Sequence, residues 1–159
     1  MSLDLTQLQT VLDGDTDIVL RRSFAHPPAK VWRALTEPAI IRQWMAVQDH
    51  PMTRCEFEPR AGGSFHFEWA GQDGSSFFFS GPILDVREPH HITHIEYFNG
   101  DPAMSARITT DLAPNGTGTR MTMVMRYENA EARAAAVATG MTDGMEEVYA
   151  KLDSLRIAG

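Results

Sequence analysis

His94 and Glu96 stand two residues apart in the segment ITHIEYF, so in an extended chain the imidazole and the carboxylate share one face. Inside an apolar enclosure such a pair can relay a proton as general acid and base, or can orient a polar group of a bound molecule. The competing reading is a solvent-facing strand edge carrying ordinary polar residues. A second grouping is His90, His91 and His94, which His66 could join from an adjoining strand. Zinc or iron needs three or four ligands converging at about 2 Å. On a strand His91 points away from His94, and His90 belongs to a turn, so surface histidines are expected and no metal. Gly62 and Gly63 in PRAGGSF lack the helix that a phosphate loop requires, and there is no nucleophile elbow, dinucleotide fingerprint or zinc-protease helix. No cofactor is predicted.

The remaining chemistry is apolar. Of nine methionines, Met121, Met123, Met125, Met141 and Met145 are expected to meet across a sheet and a helix. Methionine adapts to irregular apolar shapes, which suits a pocket for flexible hydrophobic ligands as well as it suits a core. Trp32 and Trp44 fall on two short helices where they could close a cavity mouth, although aromatic burial alone explains both.

The elements that would position these residues are legible from period and punctuation. DIVLRRSFA, residues 17 to 25, reads as a first, edge strand ended by His26-Pro27-Pro28. AKVWRAL and the stretch carrying Ile40, Ile41 and Trp44 read as two short helices parted at Glu37-Pro38. Strands follow near 53–58, 63–70, 75–87, 91–98, 103–112 and 118–127, joined by short turn-rich connections that argue for an antiparallel meander. In SFHFEW, Phe65, Phe67 and Trp69 share one face, with His66 and Glu68 on the other. After Asn129, a plausible N-cap, the pattern turns helical, and Gly140 divides a short helix from a long one carrying Met141, Met145, Val148, Tyr149, Leu152 and Leu155. Gly144 inside that helix suggests close approach of a neighbour to the backbone. Residues 1–16 form a leader in which Leu5, Leu8 and Leu12 suggest a short helix or docked arm.

With 159 residues the chain has the length of one domain, and about 69% of its surface would be buried on folding. A net charge of −7 with scattered basic residues argues against nucleic acid as a partner. A single cysteine, Cys55, excludes an internal disulfide. The N-terminus resembles neither a signal peptide nor a membrane span, which predicts a cytoplasmic protein.

The succession RSFAHPPAKVWRALTEP, IRQWM, CEFEPRAGGSFHFE, FSGPILDVREPHHITHIEY, GTRMTMVMRY and GMTDGMEEVYAKLDSL resembles the START-like (SRPBCC) superfamily, and within it the polyketide cyclase-like group named after the activator of the heat-shock-protein ATPase. The resemblance runs from about Asp17 to the C-terminus. It implies an α+β helix-grip fold, a curved antiparallel sheet around a long C-terminal helix with a deep apolar cavity between them. It also implies that Met45, Met145, His94 and Glu96 stand where relatives often carry aromatics, which would leave this cavity more polar on one side. The expected ligand wall is Trp32, Trp44, Phe65, Phe67, Trp69, His94, Glu96, Phe98, Met121, Met123, Met125, Met141, Met145 and Tyr149. The expected role is binding of a small hydrophobic ligand, lipid or polyketide-like. The alternatives are a cyclase, dehydratase or hydrolase using His94 and Glu96, and an interaction protein that stimulates a chaperone ATPase. A homodimer through an exposed sheet edge is left open.

Overall fold

The computed structural model describes residues 6–46 and 50–158. Strands β1 (Gln9–Asp13) and β2 (Asp17–Phe24) lead into helices α1 (Pro28–Thr36) and α2 (Pro38–Met45). Then come β3 (Met52–Phe57), β4 (Ser64–Ala70), β5 (Ser76–Arg87), β6 (His91–Phe98), β7 (Asp101–Asn115) and β8 (Gly118–Tyr127), followed by α3 (Ala130–Ala138) and α4 (Met141–Ser154). The strands form one antiparallel sheet in the spatial order β1-β2-β8-β7-β6-β5-β4-β3. The chain therefore crosses from β2, on one side, to β3 at the far edge through α1 and α2, and the following five strands return by hairpins.

Local chemistry sets the helix limits. Pro28 and Pro38 open α1 and α2, where a missing N–H is harmless, and Glu37 before Pro38 is extended as that position requires. The Asn129 side chain accepts the Ala132 N–H at 2.8 Å to cap α3. Gly140, at φ 76°, ends that helix in the left-handed conformation and starts α4 on a new axis.

The leader is a docked arm and not a short helix. Residues 9–13 are a strand, paired with β2 from Gln9 opposite Arg21 to Asp13 opposite Asp17. Val11 and Leu12 are exposed, so the leucine spacing marks no buried helical stripe, and backbone pairing with β2 decides the conformation. In consequence β2 is an interior strand, with Ile18 and Leu20 fully buried, and β1 is the edge. Leu5 lies outside the described residues.

Helix α4 lies against the concave face. The Arg22 guanidinium on β2, with only 3% of its side chain exposed, holds Glu146 of α4 through Nε–Oε1 at 2.9 Å and Nη2–Oε2 at 3.0 Å. Asp153 lies 3.5 Å from Nη1, the Ser23 carbonyl accepts from Nη1 at 2.9 Å, and the cation sits 5.0 Å from the Phe24 ring centre. The Leu8 N–H donates to the same Glu146 carboxylate. One buried cation thus ties the leader, β2 and α4.

Gly144 is exposed, and a Cβ there would have no neighbour within 4 Å. The expected close approach is absent. Gly144→Ala is therefore expected to stabilise the protein by about 1 kcal/mol through helix propensity alone, raising the thermal midpoint by about 2–4 °C. A calorimetric scan showing a lower midpoint would contradict this placement.

Candidate functional site

Between the sheet and α4 lies a cavity of about 250 Å³. Its floor comes from alternate residues of the sheet. Phe67 and Trp69 on β4, Phe79 on β5, and Met123 and Met125 on β8 point inward by the same period-two rule that sends His66 and Glu68 outward. On β6 it is Ile92, His94 and Glu96 that line the cavity, a choice the alternation of a segment apolar on both faces left open. Met145 and Tyr149 of α4 form the roof, and Ile41, Trp44 and Met45 of α2 close one end.

The aromatic groups are fixed by their polar ends. Trp44 stacks on Tyr149 at 5.6 Å while its Nε1–H donates to the Ala34 carbonyl at 2.8 Å. Trp69 donates to the Met45 carbonyl at 3.0 Å and stacks on Phe77. Lys151 of α4 reaches the Ala46 carbonyl at 2.9 Å. These bonds pin the end of α2 to both the sheet and α4.

Three residues of the expected wall lie behind it. Trp32, Phe65 and Met121 are buried in the core, and none of them lines the cavity. Trp32 faces the interior from α1 and leaves the closing of that end to α2. Phe65 meets the His94 ring edge-on at 4.9 Å, so it supports the imidazole from beneath. Phe98 lines a neighbouring chamber, and the side chain of Met141 lies outside the described residues. Leu35, Phe57, Phe79, Ile108 and Thr110 line the cavity without having been singled out. Phe79 was within reach of the alternation in β5, whereas the others required knowledge of strand order.

The polar contribution is small and concentrated. His94 Nε2 lies 3.6 Å from Glu96 Oε2, too far for a hydrogen bond, and both side chains are largely buried. His94 Nδ1 is buried with no hydrogen-bond partner within the protein; of three such atoms among the described residues it is the one in this wall. Burial, reinforced by the negative charge of Glu96 and opposed by Arg22, pushes the Tyr149 phenol well above its ordinary range. Burial and then Glu96 likewise push Tyr127 up to about 12. Both phenols therefore stay protonated at neutral pH.

The other histidines weighed as metal ligands take separate partners. His66 pairs with Glu68 at 2.7 Å and stacks on Phe78, His91 pairs with Asp111 at 2.7 Å, and His90 lies 3.2 Å from the Leu112 carbonyl. No three His, Cys, Asp or Glu side chains among the described residues are grouped to hold a metal. Cys55 is buried, and burial raises its thiol pKa, which makes it a poor nucleophile. Among the described residues no helix is long and apolar enough to cross a membrane.

The sequence model of the family described as activator of Hsp90 ATPase homolog 1-like protein matches residues 25–156. A solved structure from Rhodobacter sphaeroides is 35% identical, with 92% of this chain and 95% of that chain covered at a TM-score of 0.87. One from Mycobacterium smegmatis at 23% identity covers 95% and 97% with a TM-score of 0.84, and one from Nitrosomonas europaea at 25% covers 91% and 96% with 0.75. A search of curated proteins gives no match. The family match spans most of the chain and the same sheet around α4 recurs in these structures, so the chain belongs to the activator of Hsp90 ATPase homolog 1-like family, with the helix-grip fold of START-like proteins.

Proposed function

We propose that this protein binds a small, largely apolar molecule in the cavity between the sheet and α4, oriented by His94 and Glu96. The carrying observation is a cavity between the sheet and α4 walled almost wholly by apolar side chains, with His94 and Glu96 side by side in the wall. A polar group of a ligand that hydrogen-bonds either side chain in so apolar a wall gains affinity and a fixed orientation. Four wall positions, Met45, His94, Glu96 and Met145, are those at which the chain departs from the aromatic pattern it resembles, which supports a ligand choice particular to this protein.

Native mass spectrometry and thermal shift against lipids and polyketide-like aromatics test the reading. A ligand is expected to raise the thermal midpoint, and His94→Ala to weaken its binding about 3- to 10-fold, the value of one hydrogen bond. An NMR titration that perturbs no wall residue would count against it.

The spacing of His94 and Glu96 favours one second reading, an acid–base enzyme of cyclase, dehydratase or hydrolase type, because a substrate group could bridge the 3.6 Å gap. It predicts a bell-shaped pH profile for turnover that either alanine substitution abolishes.

A further inference from the structure

We propose that the ligand is an elongated amphiphile which passes a waist at Glu96 into a second chamber beneath α3, and which seats a hydrogen-bond donor, a hydroxyl or protonated amine, on the Glu96 carboxylate. This rests on the binding reading above and adds to it the shape and the chemistry of the molecule bound.

The second chamber measures about 460 Å³, larger than the first, and lies between α3 and strands β5 to β8. Two residues line both chambers, Phe79 and Glu96. On the α3 side it is lined by Ala132, Ala135 and Ala136, whose side chains are single methyl groups, with Thr139 just past the helix end. A molecule confined to the first chamber would leave the larger apolar volume unused.

Apart from His94, whose Nε2 lies 3.6 Å away, Glu96 is the one acidic or basic side chain lining either chamber among the described residues. A carboxylate accepts hydrogen bonds and donates none, so the group beside it must donate, and a second carboxylate would be repelled. Arg22 does not neutralise it, since that cation is already engaged by Glu146, Asp153 and the Ser23 carbonyl. The effect of Glu96 on Tyr149 in one chamber and Tyr127 in the other fits a charge placed between the two.

Calorimetric titration of the full chain at pH 8 with octylamine, dodecylamine and dodecanoate tests the proposal. Dodecylamine is expected to bind at least 10-fold tighter than either of the others. Ala135→Phe, at an exposed rim position of α3, should remove the gain from chain length while octylamine binding persists. Met104→Trp from the opposite rim should do the same, and Ala138→Phe, exposed on α3 but outside the chamber, should not. Glu96→Gln should abolish the preference for amine over carboxylate. Retention of the chain-length gain in both rim variants, equal loss of octylamine, or dodecanoate binding as tightly as dodecylamine would overturn the proposal while leaving ligand binding in place. If none of these probes and no aromatic or lipid binds the wild type, the binding reading falls and this proposal falls with it.

Discussion

Arg22→Met is expected to lower the stability by about 3 kcal/mol, a large part of the 5–15 kcal/mol of an ordinary domain, and to move the urea midpoint down by about 1–2 M. Removing one partner of a buried pair typically destabilises by about 3–5 kcal/mol because the remaining charge is stranded. Here Glu146 and Asp153 are each about one-third exposed, at 34% and 29%, so water recovers part of the loss and the lower figure applies. Methionine keeps most of the apolar stem, so the change reports the charge.

The same clamp gives a pH dependence with a definite sign. The hydrogen bonds from Arg22 hold the Glu146 carboxyl below its ordinary value of 4.5, against the opposing effect of partial burial. A carboxyl whose folded pKa is depressed contributes stability above its unfolded value, and that contribution disappears as the pH falls through the folded one. Wild type should therefore lose stability below about pH 4.5, and Arg22→Met should lose less over the same interval. Parallel stability curves for the two proteins in acid would show that the clamp is not the cause.

Gly81→Ala is expected to destabilise by about 3 kcal/mol, the upper end for overpacking, and to abolish binding in the cavity. A Cβ at Gly81 would sit 1.9 Å from the Ile95 carbonyl oxygen, a backbone atom that cannot rotate away. The register of β5 with β6 is continuous past Gly81, from Ser80 opposite Tyr97 to Ile83 opposite His94, and shifts once, between Ile83 and Asp85. Glycine permits this close approach of β5 to the backbone of β6, the strand that carries His94 and Glu96. Stability and affinity should thus fall together in this variant, whereas Glu96→Gln should alter affinity alone. A folded Gly81→Ala protein with unchanged ligand affinity would show that this close approach does not set the cavity.

Much of this arrangement was readable before folding was considered. Alternation in SFHFEW assigns Phe67 and Trp69 to the interior because a pleated strand sends successive side chains to opposite faces, and the helix limits follow from Pro28, Pro38, Asn129 and Gly140. The same rule failed on ITHIEYF, where both faces are apolar enough to be buried. It also could not separate Phe65 and Met121, buried behind the wall, from Phe67 and Met123, which form it. Period reports which face is covered and carries no information about what covers it.

The sequence by itself determined the order of elements from Asp17 onward, the α+β class and the inward stripe of aromatic and methionine side chains, because each follows from local periodicity and punctuation, and its succession of motifs carried the resemblance to the family. Only the tertiary structure decided that residues 9–13 join the sheet, that Arg22 clamps α4 and that His94 and Glu96 face a cavity. Those outcomes depend on contacts between residues far apart in the chain, such as Arg22 with Glu146, 124 positions on, and on the close approach of Gly81 to the Ile95 carbonyl across two paired strands. Neither is written in the spacing of neighbours along the chain.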